Sequence, residues 1–385
     1  MKKPALYESI KPLHIAAKLL GFLVFTVDDE KFTPKFKFCD IFFILSGISS
    51  NFLMNYIYWT TIFDFVFERS SIINISIPFI TLSQNIIVIT ITIAGFFKIH
   101  KVCDILRKFS EIDEEFGKCF NIKIDYEKQK QKAVKLIVSM SLMVIVIVLI
   151  RYTSNLIYSP TSSIKTNIYY FMCFCGSTVL LLSFKFAALG VKMRFENVNK
   201  CLRSSLNYQE LSSHQLKKLA KIHMKITDII QLINQTFSLA LMLYFIIFFC
   251  WCCMYCFLIV STSKEVWLNY SGYILLRLTA NIFIDGLMFN AIRTASLAEM
   301  EGIKTARILF EIRIDKIGET ETISSFIDQV KFTSMKFSCG LFSYDWKFLF
   351  KFLSAVIMYV IFMMQFDSSI RGSKICSPNN STNSV

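Results

Sequence analysis

The chain has 385 residues, of which 54% are hydrophobic, 15% aromatic and only 18% charged. Soluble domains average about 45–50% apolar and about 25% charged residues, so this chain carries more apolar surface than one soluble core can hide. Its net charge of +14 sits on basic residues placed between apolar runs. That arrangement speaks against the basic face of a nucleic-acid-binding domain, so no nucleic-acid partner is expected.

A bilayer-crossing helix needs about 20 predominantly apolar residues. In chain order such runs are expected at 41–63, 70–97, 136–158, 166–191, 237–260, 266–290 and 346–366. The first, second and fifth are free of charge. Arg151 and Lys185 can snorkel from the third and fourth toward opposite interfaces. The sixth is the least regular, with Arg277 in mid-span and Asp285 near its inner end. A charge at that depth costs at least a few kcal/mol, so both groups should face protein or water. The fold class expected is an all-α membrane protein with seven transmembrane helices, in one domain with no linked module.

Lysine and arginine concentrate on the cytosolic side of membrane proteins. Between the spans, segments 1–39, 98–132, 192–236 and 291–345 hold 31 of them, and the alternating segments hold 6. The sequence therefore predicts a multi-pass plasma-membrane protein with a cytosolic N-terminus and an extracellular tail at 367–385. The sign is opposite to that of a G-protein-coupled receptor, although the number of spans is the same. Glycosylation acceptor triplets occur at Asn269, Asn379 and Asn380 on the expected outer side, and at Asn234 on the inner side.

The inner segments have helical periodicity. Leu211, Leu216, Leu219, Ile222, Ile226, Ile229, Ile230 and Ile233 form one stripe among lysines and polar residues. Such a stripe either packs on protein or lies on the membrane surface. Residues 296–330 behave likewise, so the cytosolic helices are expected to extend the spans.

Chemical motifs are sparse. Of twelve cysteines, Cys250, Cys253 and Cys256 fall at CxxC spacing, inside an apolar run where cysteine packs as a small hydrophobe. No metal-ligand spacing or cofactor motif is present, and no cofactor is expected. The four histidines, His14, His100, His214 and His223, fall in expected cytosolic segments, and no catalytic nucleophile motif accompanies them. His100 and Asp104, four residues apart, are placed to pair on one helical face.

Near the C-terminus the sequence reads Phe337-Ser-Cys-Gly340-Leu341-Phe342-Ser-Tyr344-Asp345, followed by Tyr359, five apolar residues, Gln365 and Phe366. This resembles the signature of insect gustatory receptors: Gly-Leu-Phe, a variable residue, a hydrophobic residue and Asp before the last helix, then Thr-Tyr, five mostly hydrophobic residues and Gln-Phe within it. The departure is Met358 where that family usually has Thr. The resemblance implies a tetrameric, ligand-gated, non-selective cation channel, homomeric or heteromeric, opened by a small-molecule tastant. Its last helix would line the pore for permeating cations, with membrane lipid around the rest. Gly340, Leu341, Phe342 and Asp345 would be structural.

On that reading Gln365 and Phe366, with Phe362 and Tyr359, are the pore or gate candidates. Four amides can replace part of a cation's hydration, and an aromatic ring can narrow or dewet the path. The implied ligand pocket lies among the outward halves of the second to sixth spans. Gln84, Tyr152, Asn155, Tyr169, Tyr170, Trp251, Tyr255, Tyr273 and Arg277 are its candidates, since aromatic walls with sparse polar groups suit a small organic ligand. Interfacial anchoring is the competing explanation for each aromatic. Within the family a bitter or plant compound is the default ligand class. The rival functions are a secondary transporter, suggested by Lys185, Arg277 and Asp285, and a G-protein-coupled chemoreceptor.

Overall fold

The computed structural model describes residues 5–19, 26–27, 34–35, single positions between 38 and 86, and 89–375 apart from 94, 159–163, 208–211, 262–263 and 316–319. Most of the expected spans 41–63 and 70–97 and the end of the tail beyond 375 lie outside these residues. The helices are α1 Ala5–Leu19, α2 Ile99–Phe120, α3 Tyr126–Tyr158, α4 Ile164–Asn207, α5 Ser213–Ser261, α6 Lys264–Asp315, α7 Thr320–Phe332 and α8 Trp346–Ile375. A two-residue antiparallel ladder joins β1, Thr26–Val27, to β2, Pro34–Lys35. It is a small addition to a helical chain.

The segments expected on the inner side extend the helices, as their periodicity predicts, although 192–236 divides between α4 and α5 and 296–330 between α6 and α7. α4, α5 and α6 run for 44, 49 and 52 residues. At about 1.5 Å rise per residue each is more than twice as long as a hydrocarbon layer of roughly 30 Å is thick. Among the described residues, Cys175–Ser204, Ser213–Met254 and Trp346–Ser369 are long and apolar enough to cross a membrane.

The stripe on α5 packs on protein. Leu216, Leu219, Ile222, Ile226, Ile229, Ile230 and Ile233 are all buried, on a helix that packs against α2, α4, α7 and α8 along its length; Leu211 lies outside the described residues. Each such side chain removed from water contributes about 1.5–3 kcal/mol. The surface-lying alternative is therefore not what this face does. His223 sits in the same core with its ring 5.0 Å from Phe195 and 5.7 Å from Phe326.

α4 and α6 form the most extensive helix pair. Buried Ala291, Ala295 and Ala298 on α6 allow that close approach. Asn199 ties the pair together, donating to the Glu301 carbonyl at 2.9 Å and accepting from the Thr305 hydroxyl at 2.8 Å. On α2, buried Ile99, Cys103, Leu106, Phe109, Ile112 and Phe116 recur at helical spacing. The opposite face is charged, and there Asp104 pairs with Arg107 at 2.8 Å. Arg107 at i+3 thus takes the carboxylate that the sequence offered to His100.

Candidate functional site

The signature residues before α8 fold into a tight hairpin. The Cys339 N–H donates to the Phe342 carbonyl at 3.1 Å, and the Tyr344 N–H donates to the Phe337 carbonyl at 2.8 Å. Gly340 and Leu341 are the two central residues, and Gly340 has φ +91. A two-residue hairpin of type II′ asks for glycine at this first central position, because a Cβ is strained there. Asp345 then starts α8: its Oδ1 accepts the Phe348 N–H at 2.8 Å, satisfying one of the helix's orphan donors.

Two further contacts hold the hairpin against the bundle. Asn234 on α5 clamps its entry, donating to the Lys336 carbonyl at 2.9 Å and accepting the Ser338 N–H at 3.1 Å. This use of both amide atoms gives the inner Asn234 triplet a structural role. Phe342 stacks on Phe348 with centroids 4.1 Å apart, and Tyr344 lies 5.3 Å from Phe184 of α4 and 5.6 Å from Phe245 of α5. Leu341 projects from the tip, 75% exposed.

An aromatic ladder continues from the hairpin along the α5–α8 seam. Phe248 stacks on Phe352 at 5.5 Å, and Phe249 meets Phe352 at 5.6 Å and Tyr359 at 5.4 Å. With these rings, α8 buries Phe352, Val356, Val360 and Asp367 along one face. Its other face carries Phe350, Ile357, Ile361, Phe362, Gln365 and Phe366, all exposed in the single chain. Phe362 is 63% and Phe366 55% exposed. Three of the four pore candidates therefore share an open surface, and Tyr359 combines exposure with a packing contact.

Of the pocket candidates, Trp251 on α5 is half-buried. Gln84 lies outside the described residues, as do the side chains of Tyr152, Asn155, Tyr169, Tyr170, Tyr255, Tyr273 and Arg277, whose backbones belong to α3, α4, α5 and α6. Asp285 on α6 is half-buried, and its Oδ1 has no hydrogen-bond partner among the described residues.

Sequence reasoning missed a buried ion pair on the basic side of the chain. Arg194 of α4, 2% exposed, meets Asp113 of α2, 7% exposed, at 2.5 Å. Tyr126 of α3 donates to the same Asp113 oxygen at 2.6 Å, and Arg194 also donates to the Gly190 carbonyl at 2.8 Å. The guanidinium lies 3.9 Å from the centre of the Phe109 ring. Burial raises the Asp113 carboxyl above its ordinary range, while Arg194 and the Tyr126 hydroxyl pull it back down. The readable signal was Asp113 itself, a charge between Phe109 and Phe116 on the apolar stripe of α2.

Comparison with known proteins gives three results. A family model described as 7tm Chemosensory receptor matches residues 10–370. Among curated proteins no match is found. Among solved structures, the insect olfactory receptor OR5 from Machilis hrabei superposes with a TM-score of 0.65 at 12% identity, over 93% of this chain and 97% of that one. The same receptor in complex with eugenol superposes with a TM-score of 0.61 at 13% identity, over 94% and 98% of the two chains. The helical architecture is thus that of an insect olfactory receptor, and by its family match the chain belongs to the 7tm chemosensory receptors, a family of membrane receptors and not of enzymes.

Proposed function

We propose that the chain is a taste receptor of the gustatory type, acting as a ligand-gated, non-selective cation channel in which four copies bring their α8 helices around one pore. The observation that carries this reading is the open face of α8. A helix with Ile357, Ile361, Phe362, Gln365 and Phe366 exposed together is not finished by the described residues of its own chain. Lipid would satisfy the apolar members, but an amide at Gln365 gains nothing from hydrocarbon. An axis shared by neighbouring copies gives Gln365 cations and water to face, and gives Phe366 a path to narrow. The Gly340–Asp345 and Tyr359–Phe366 signatures favour the gustatory over the olfactory branch.

The ligand is a small, mostly apolar organic molecule of the bitter or plant-compound class, bound among the outward halves of the spans. The OR5 complex with eugenol supports a small organic ligand for this fold. The chain sits in the plasma membrane with α1 in the cytosol and the end of α8 outside.

Inside-out patches from cells expressing the chain test the mechanism, with plant-derived bitter compounds in the pipette. Cation current that persists in nucleotide-free solution is expected. Current that vanishes on excision and returns only with GTP would replace the channel by a G-protein-coupled receptor. Epitope tags test the orientation: surface labelling of an N-terminal tag, with the C-terminal tag hidden, would overturn it.

A further inference from the structure

α3 runs from the charged end of the bundle into the apolar layer with one side packed and the other bare. Tyr126, Gln129, Ala133 and Ile137 recur at helical spacing and are buried or half-buried, on a helix that packs against α1, α4 and α6. At 3.6 residues per turn, Lys128, Lys132 and Lys135 stand on the opposite side, and all three are exposed. The same side continues toward the C-terminal end as Val138, Leu142 and Leu149, exposed as well. From Lys128 to Lys135 is about 10 Å of helix axis. That length covers the headgroup zone, about 5–8 Å deep on each side of a bilayer.

The three ammonium groups are unclaimed. None of these side chains has an ion pair or hydrogen bond among the described residues. The nearby carboxylates are engaged, Glu127 with Lys130 at 4.0 Å and Asp125 with the Lys128 backbone N–H at 2.9 Å. By contrast, Lys98 and Lys101 at the start of α2 are tied to Gln235 and Thr236 of α5. Spaced four and three residues apart, Lys128, Lys132 and Lys135 repel one another along the helix. An anion at this face removes that cost.

We propose that this face of α3 binds an anionic phospholipid, with its headgroup on Lys128, Lys132 and Lys135 and its acyl chains along Val138, Leu142 and Leu149. A basic cluster directly beside a membrane-crossing apolar stretch attracts anionic lipid. A soluble acidic protein would reach the lysines but has nothing to lay on the apolar half. A second copy docked through the open face of α8 would bring exposed Lys347 and Lys351, which add to the positive charge. The leaflet is the cytosolic one under the proposed orientation. The binding itself rests on the membrane reading of the chain and not on channel gating.

The test needs no current. Phosphatidylserine with a diazirine in one acyl chain is mixed into phosphatidylcholine nanodiscs holding the full chain, and adducts are mapped by peptide mass spectrometry after irradiation. Both faces carry the lipid, so the result is independent of orientation. Saturable adducts between Val138 and Leu149 are expected, well above those from the matched diazirine phosphatidylcholine. Each lysine near the surface multiplies attraction for anionic lipid about five-fold. Lys128→Gln, Lys132→Gln and Lys135→Gln together should therefore cut this preference about ten-fold or more. Lys217→Gln, Lys218→Gln and Lys221→Gln together remove the same charge from exposed positions on α5 and should leave it intact. Equal labelling of α3 by the two lipids overturns the proposal, as does equal loss in both triple variants, which would assign the attraction to net charge alone. Suppression by soluble glycerophosphoserine as strong as by phosphatidylserine would mark a free-anion site, and absence of any lipid adduct on α3 would mark a face covered by protein; each overturns it too. Should the α3 variant fail to fold, the comparison of the two lipids on the parent chain decides alone.

Discussion

Along α5, the seven stripe residues from Leu216 to Ile233 are all buried, whereas along α8 the residues from Ile357 to Phe366 are mostly exposed. Both helices are apolar, and the difference lies in what surrounds them. α5 is enclosed by α2, α4, α7 and α8, while α8 touches mainly α5. Within the most apolar stretch of each candidate membrane segment, 44% of α5 is buried and only 22% of α8. Among the described residues, the α5 stripe is thus completed by its own chain, and the open face of the last helix is left to lipid or to other copies. Substitutions of the same chemical size should therefore act on folding in the first region and on assembly or conduction in the second.

The largest effect is expected where the packed region is charged. Arg194→Leu leaves Asp113 buried without its cation, a loss of about 3–5 kcal/mol, and folded protein at the cell surface should fall sharply. Asp113→Asn combined with Arg194→Leu removes both charges and should recover much of it. The pH dependence has a fixed sign. Burial raises the folded-state pKa of Asp113, so the folded chain holds a proton there more tightly than the unfolded chain does, and stability is lost as pH rises. Without Arg194 the upward shift grows. The thermal unfolding temperature of Arg194→Leu should then climb as pH is lowered from neutral toward the ordinary carboxylate range, and climb less in the parent. A flat or opposite profile would show that Asp113 is not the group left stranded.

Next in size are paired truncations across the comparison. Ile226→Ala on α5 deletes a fully buried side chain, which costs about 2–5 kcal/mol. Ile357→Ala on the open face of α8 removes a side chain that is 62% exposed and should leave the subunit's unfolding within about 0.5 kcal/mol of the parent. If α8 lines a shared axis, Ile357→Ala instead weakens the oligomer on native electrophoresis. Equal destabilisation by both changes would erase the contrast between the two regions.

The conduction arm is finer. Gln365→Ala should change permeability ratios among cations, and Phe366→Ala should raise the leak without ligand, with ligand concentration dependence nearly unchanged. Val356→Ala, buried on the packed face of the same helix, controls for loss of helix packing. Channels that conduct, select and close as the parent does after both changes would move the pore away from this face.

Much of this architecture was legible in the sequence because periodicity and charge are local signals. The α5 stripe shows its apolar face through spacing, and the length of α4, α5 and α6 follows from helical pattern that runs on past the apolar spans. The Asp113–Arg194 pair was less legible because its partners are 81 residues apart and Arg194 reads as one basic residue among many. The role of His100 was misjudged for the opposite reason: two local pairings compete for Asp104, and sequence spacing does not rank them. The open face of α8 could not be inferred from composition, since an apolar helix looks the same whether it meets its own bundle, lipid or a second copy.

The smallest expected effects lie in the hairpin that joins the two regions, and they decide whether its signature is architecture or gating machinery. Asp345→Ala removes the carboxylate that accepts the Phe348 N–H, a helix cap worth about 0.5–2 kcal/mol. Gly340→Ala places a Cβ at φ +91, where an L residue is strained by about 1–2 kcal/mol. Nothing lies within 4 Å of that added Cβ, so the cost is backbone strain and not collision. Asp345→Asn keeps a capping oxygen and should behave nearly as the parent. A purely architectural hairpin predicts that Asp345→Ala and Gly340→Ala lower thermal stability by these modest amounts and reduce surface expression in proportion. The channels that do reach the surface then open over the parent's ligand range. If either change shifts that range or produces constitutive current at normal expression, the hairpin transmits force from the packed bundle to α8. In that case its link to α5 through Asn234 and Phe245 is part of the gate.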